Sequence, residues 1–385
     1  MKGVINYLNS INGDNQLNNC GYTFSKEHFQ NRYAITKTKK GSQELTTYFF
    51  STPIIRTNDN EIVDLCFEEK KNYYSFRGSD SDISINEKGI TFSNIRGYLR
   101  MDLDLENSFL QKNHIISGLL SISPNLNGVT IVQKIQHNNN VEVDFDWMSC
   151  DFGIKANSKA LSFLHDSFSP FATISSIGCT NEEGKVLCPA KLEYERTGSN
   201  RVKIKLSPPT GIIVDSIVFE VCLRERKLFM DTTVCSRFPI ENNAFGAVSY
   251  IGKTLYFGVE WLYSKIDFGV LNKCMINRIR KIQMIIPRLS NSLTDLYAES
   301  VKLRFCSLGS TWMDKQDGEG RIIKIIESGG FYCLDLSSQL INCYDEVLKP
   351  FAGIIIKSKG YSEGSTVIST GDCCSYPQVL KIIHE

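Results

Sequence analysis

Asp144 and Asp146 stand two residues apart in Val141-Glu142-Val143-Asp144-Phe145-Asp146-Trp147. On a β-strand that spacing puts both carboxylates on one face. Such a pair serves a cation or an acid/base reaction when a second carboxylate lies opposite. No second acidic strand is identifiable, and an acidic solvent face accounts for the pattern. The five histidines, His28, His114, His137, His165 and His384, are isolated, and none lies beside a cysteine cluster. No Gly-x-Ser-x-Gly elbow, phosphate-binding Gly-rich loop or dinucleotide fingerprint occurs. A non-enzymatic protein is therefore expected.

The thirteen cysteines are scattered, with no Cys-x-x-Cys among them. Zinc sites want paired ligands at short spacing, so the cysteines read as small buried residues of a protein made in a reducing compartment. Cys179 and Cys188 form a candidate pair. Taking Glu183-Gly184 as a two-residue hairpin turn and counting outward pairs Glu182 with Lys185, Asn181 with Val186, Thr180 with Leu187, and Cys179 with Cys188. Counted so, the last is a non-hydrogen-bonded pair with Cα atoms about 4.5 Å apart, within disulfide reach. Thiols are expected in the cytosol. With 22 Phe and 16 Tyr the chain is also rich in rings. Trp261, Tyr263, Trp312 and Tyr361 are candidates to stack on a sugar, although β-sandwich cores use aromatic residues in the same way.

These residues must be held by short strands. Of 385 residues, 43 are basic and 42 acidic, and hydrophobic residues make up 42%. That composition supports packed cores, and the net charge of +1 gives no reason to expect a nucleic-acid partner. Strand-like segments recur, among them Asp82–Ile85, Gly89–Phe92, Tyr98–Leu103, Gly128–Val132 and the basic Arg201–Leu206, with turn signals every 8–12 residues or so. Lys155–Phe168 and Leu334–Leu348 are the two stretches with room for a short helix. The expected fold is all-β: two β-sandwich, jelly-roll-like domains over 46–223 and 228–385. They follow an irregular N-terminal arm over 1–45 that carries Phe24, Phe29 and Tyr33 as anchors. Ser207-Pro208-Pro209-Thr210-Gly211 is the strongest internal break. No apolar run reaches the length of a membrane span, and the first residues lack a secretory signal core.

Residues 228–385 resemble the DNRLRE-domain family, β-sandwich modules of bacterial surface proteins related to carbohydrate-binding modules. The resemblance rests on the order of short motifs: Asp231-Thr232-Thr233-Val234, Glu241–Gly246, Tyr263–Phe268, Thr311-Trp312, Phe331–Ser337, Phe351–Lys357 and Ile368–Asp372 with Pro377–Leu380. More loosely, the first half is similar to the β-rich segment that precedes such domains in wall-associated and Rhs-type proteins, through Tyr48–Ile54 and Asp64-Leu65. The resemblance puts Asp231 and Asp372 at strand ends, where they would either hold a Ca²⁺ that fixes a loop or cap a turn. The expected function is a structural or adhesive subunit of a bacterial surface assembly, with self-assembly or other structural proteins as partners; a phage or spore particle suits the lack of a secretory signal, and the family resemblance itself supports carbohydrate binding. Glycan attachment is the alternative. No cofactor other than such a Ca²⁺ is expected.

Overall fold

The computed structural model of the chain describes residues 34–38, 43–50, 65–77, 82–94, 97–136, 140–146, 153–164, 170–223, 228–266, 279–290, 295–303, 305–340, 352–360 and 364–385. They are almost entirely antiparallel strand, and the only helix among them is the single turn Ser337–Leu340. The chain divides into two compact units. Ile55–Glu225 is continuous and is inserted between the two segments of a split unit, Met1–Ile54 and Arg226–Glu385.

In the inserted unit, an eight-stranded sheet runs in spatial order from Lys191–Gly198 through Arg201–Ser207, Val141–Asp146, Gly97–Asp102, Gly89–Asn94, Asp82–Asn86 and Tyr74–Arg77 to Cys66–Glu69. A nine-stranded sheet has Pro170–Thr180, Ser216–Leu223 and Gly128–Lys134 at its centre. Alternation drives the packing. Val202, Ile204 and Leu206 point inward and join Ile90, Phe92, Leu99, Ile131, Phe219 and Val221 in one core shared by both sheets, while the alternate lysines and arginine stay outside.

The split unit is a second two-sheet sandwich. Its six-stranded sheet runs Ala34–Thr38, Leu45–Phe50, Val379–His384, Ile279–Pro287, Phe331–Asp335, Ile325–Ser328. Its seven-stranded sheet runs Gly318–Ile323, Leu296–Val301, Ile354–Ser358, Gly258–Ile266, Val248–Thr254, Gly364–Ser369, with Phe229–Cys235 also paired to Gly258–Ile266. Phe49, Met284, Leu334 and Leu380 of one sheet meet Leu262, Ile354, Ile356 and Ile368 of the other.

Several expectations change. Leu45–Phe50, of which Thr46–Phe50 was expected in the first β-rich domain, is hydrogen-bonded along its length to Val379–His384, over 300 residues away. Part of the expected irregular arm, Ala34–Thr38, is a strand paired with Leu45–Phe50. Thr47 Oγ1 ties this region together, 2.9 Å from both Thr36 Oγ1 and His384 Nε2, all three residues buried. Phe24, Phe29 and Tyr33 lie outside the described residues. The stretch Lys155–Phe168 contains strands rather than a helix. Gly153–Ala156 and Ala160–Leu164 are paired, and the Asn157 side chain accepts from the Lys159 and Ala160 amides to turn the chain. Of Leu334–Leu348, only Ser337–Leu340 is helical among the described residues; Leu334 and Asp335 end a strand.

Candidate functional site

Strand alternation splits Gly258–Ile266 between two environments. Leu262 and Ile266 enter the main core of the split unit. Trp261 and Tyr263 point the other way, into a satellite cluster with Val234, Val301, Phe305 and Ile355. Lys357 follows Ile355 on the same face of its strand, and Glu299 precedes Val301 on its own. The segment 305–317 lies over this face. The Tyr263 hydroxyl donates to the Gln316 carbonyl, Lys265 Nζ donates to the Phe305 carbonyl at 3.2 Å, and Asn242 Nδ2 donates to the Ser307 and Ser310 carbonyls at 2.9 and 2.8 Å. Burial, opposed in part by that hydrogen bond, holds the Tyr263 phenol above its ordinary value.

Trp312, carried by the covering segment, packs against Trp261 with ring centroids 5.2 Å apart at 54°. Two lysines sit on this pair. Lys357 Nζ is 4.2 Å from the Trp261 ring centre, and Lys315 Nζ is 4.5 Å from that of Trp312 and 5.5 Å from that of Trp261. Lys357 also pairs with Glu299 Oε1 at 2.8 Å and Asp317 Oδ1 at 3.7 Å. Its side chain is 7% exposed and that of Glu299 11%, so this ion pair is nearly dry. A Cβ on Gly318 would fall 2.0 Å from Glu299 Cδ, which fixes glycine at the point where the chain passes the carboxylate.

Two of the sugar-stacking candidates are thus buried: Trp261 is 7% exposed and Tyr263 1%. Trp312 is half-buried, and Tyr361 lies outside the described residues. The structure brings Trp261, Tyr263 and Trp312 together, but as the underside of a covered sheet face with lysines on the indole rings. Lys357, Glu299, Lys315 and Phe305 were missed by sequence reading. The available signal was a lone lysine after Ile354-Ile355-Ile356 and a lone glutamate in Tyr297-Ala298-Glu299-Ser300-Val301. Single opposite charges in two apolar strands imply mutual pairing.

Asp231 and Asp372 are 4% and 0% exposed. Asp231 Oδ2 accepts from the Gly371 amide at 2.5 Å, and Asp372 Oδ2 accepts from the Phe245 amide at 3.1 Å. Phe245 has φ of 74°, so that hydrogen bond helps hold a strained turn. A Cβ on Gly371 would stand 2.5 Å from Phe229 Cβ, which is how the turn comes close enough to reach Asp231. Each carboxylate caps a turn. Among the described residues, neither belongs to a group of three Asp, Glu, His or Cys side chains close enough to share a cation.

Asp144 and Asp146 stand in register with Lys203 and Arg201. The acidic strand therefore lies beside the basic one, and on its other side Asp144 and Asp146 stand in register with Asp102 and Arg100 of Gly97–Asp102, where Asp102 is ion-paired with Arg100 and Arg201.

Cys179 and Cys188 are register partners on adjacent antiparallel strands, Pro170–Thr180 and Val186–Cys188. The turn differs from the two-residue one expected. The Asn181 side chain accepts from the Glu183 and Lys185 amides at 3.1 and 2.9 Å, Gly184 takes φ of 76°, and Thr180 pairs with Val186 instead of Leu187. Leu187 is the extra residue of the resulting bulge and points outward, 46% exposed. Both cysteines are buried and carry free thiols. A hydrogen bond to Cys188, followed by burial, pushes the Cys179 thiol up, and the same hydrogen bond lowers Cys188.

No known protein-family profile and no curated protein matches this chain.

Proposed function

We propose that this protein is a non-enzymatic structural or adhesive subunit of a bacterial surface, spore or phage assembly, acting through contact between β-sandwiches. One observation carries the reading: the edge of the split unit at 318–328, which is open among the described residues. Gly318–Ile323 and Ile325–Ser328 are consecutive strands, yet each is the last strand of a different sheet. Ile322 and Ile326 point into solvent, 75% and 44% exposed. An edge strand offers unpaired backbone groups to an incoming strand. Glu319, Arg321, Lys324 and Glu327 give this edge both signs of charge, so a second copy meets attraction as well as apolar contact. The DNRLRE-like reading of 228–385 belongs to the same proposal. Sedimentation and native mass measurement of the full chain test it. Oligomers are expected, and Ile322→Lys with Ile326→Lys is expected to shift them to monomer without loss of β-sheet signal. A chain that stays monomeric at high concentration and recruits no structural protein overturns the reading.

Trp312 favours glycan attachment as the second reading, because it is half-buried where Trp261 and Tyr263 are buried. It predicts binding on a glycan array that Trp312→Ala removes.

A further inference from the structure

Among the described residues, Cys179 and Cys188 are the only two cysteines that face each other across a ladder. Directly opposed residues of an antiparallel pair have Cα atoms about 4.5–5.5 Å apart, inside the roughly 4.4–6.8 Å range of disulfides. Cys222, on a neighbouring strand of the same sheet, does not compete. It stands beside Thr173, whereas Cys179 stands beside Ile217, so about five residues of strand, some 17 Å, lie between them. The strand Val186–Cys188 has three residues and a single partner strand. It leads out of a turn whose Glu182, Glu183, Gly184 and Lys185 are exposed, and Leu187 between its two buried positions is exposed as well. A short, one-sided strand of this kind opens locally at lower cost than the sheet centre, which gives a small reagent a way to the sulfurs.

We infer that Cys179 and Cys188 are a redox modification site: they close an intrachain cross-strand disulfide by exchange with a small-molecule disulfide such as oxidised glutathione. Cys188 is the entry point, being less buried than Cys179 (7% against 0%) and accepting its hydrogen bond. The Cys188 thiolate attacks one glutathione sulfur. A Cys188–glutathione bond forms, the glutathione S–S bond breaks, and the departing thiolate takes a proton from water. Cys179 then gives its proton to solvent and attacks Cys188 Sγ, expelling the second glutathione. The two protein thiols lose two electrons and two protons, and one oxidised glutathione becomes two reduced ones. The bond fastens Val186–Cys188 to Pro170–Thr180, and this chemistry is independent of the assembly reading.

The test equilibrates the full chain in glutathione buffers from fully reduced to fully oxidised, quenches with acid, alkylates in denaturant and maps the peptides by mass. The expected product is a peptide pair joined through Cys179 and Cys188, lighter by two hydrogens and restored by dithiothreitol. In Cys179→Ser the remaining Cys188 is expected to accumulate as the mixed glutathione disulfide. Hydrogen exchange adds a second reading: the oxidised wild type protects the amides of 186–188 more than the reduced form. Full alkylation of both cysteines after oxidation, or joining of either one to a different cysteine, overturns the inference.

Discussion

The inserted unit turns the second face of its eight-stranded sheet to water, whereas the split unit covers the second face of its seven-stranded sheet with the segment 305–317. In the first, Lys191–Gly198 exposes nearly every residue, and charges meet across strands in the open. Lys203 pairs with Glu142 and Arg201 with Asp102, through side chains that are 31–47% exposed. In the second, Trp261, Tyr263, Val301 and Ile355 occupy the equivalent face, and the pair formed there, Lys357 with Glu299, is sealed from solvent. The contrast shows how one architecture gives the same interaction two values. An ion pair in water is screened and weak, whereas a dry one punishes the loss of either partner because the survivor is stranded without solvation.

Four substitutions grade that difference, all read by chemical denaturation of the full chain. Lys357→Ala leaves Glu299 buried without its cation and costs about 4 kcal/mol; a loss below about 1 kcal/mol would make the covered face no drier than the open one. Phe305→Ala empties a buried ring position at the start of the covering segment, where it packs on the sheet face, and costs about 3 kcal/mol. Trp261 and Trp312 belong to the same cluster, so a red shift in tryptophan emission accompanies it; unchanged emission breaks the link between segment and face.

Asp335 sits between the extremes. Burial opposes its charge, but hydrogen bonds from the Ser337 hydroxyl and amide, with Lys281 and Lys324 nearby, prevail and hold its carboxyl below the usual range. A depressed carboxylate stabilises the fold above its unfolded pKa, and that contribution fades as pH falls through the lower folded value. Asp335→Ala therefore costs about 1 kcal/mol at pH 7, and the gap from wild type narrows below about pH 4. A gap that stays constant to pH 2 would assign the effect to packing. The smallest effect belongs to Lys203→Ala. Lys203 holds the exposed Glu142 carboxyl below its ordinary value through a hydrogen bond and its charge, and about 0.5 M salt should erase the difference from wild type. A loss that persists in salt would show that the open face is not solvated.

The all-β class and many of the strands were legible in the chain. Val141–Asp146 and Arg201–Ser207 alternate so strictly that strand, inward face and charged outer face all follow from period two, and the structure places the acidic strand beside the basic one. Cys179 and Cys188 also stand as partners, although the turn between them was misjudged. Counting from Glu183-Gly184 took no account of Asn181, whose side chain captures two amides and inserts a bulge.

Periodicity marks a strand but is silent about its partner. Leu-Thr-Thr-Tyr-Phe-Phe over Leu45–Phe50 announces a strand equally well for either unit, and only the ladder with Val379–His384 assigns it to the split one. The same limit governed the aromatic candidates. Trp261 and Tyr263, two residues apart in Gly258–Ile266, share one strand face, and a solvated face would have left them free to meet a ligand. Whether a segment elsewhere folds back over that face depends on contacts tens of residues away, from Phe305, Trp312 and Gln316. A residue's own neighbours in sequence thus settled its secondary structure and its side of the sheet, because both arise from local backbone geometry. Solvent access, and with it the strength of every charge and ring on that side, was decided by the tertiary fold, because burial depends on which distant segment covers the face.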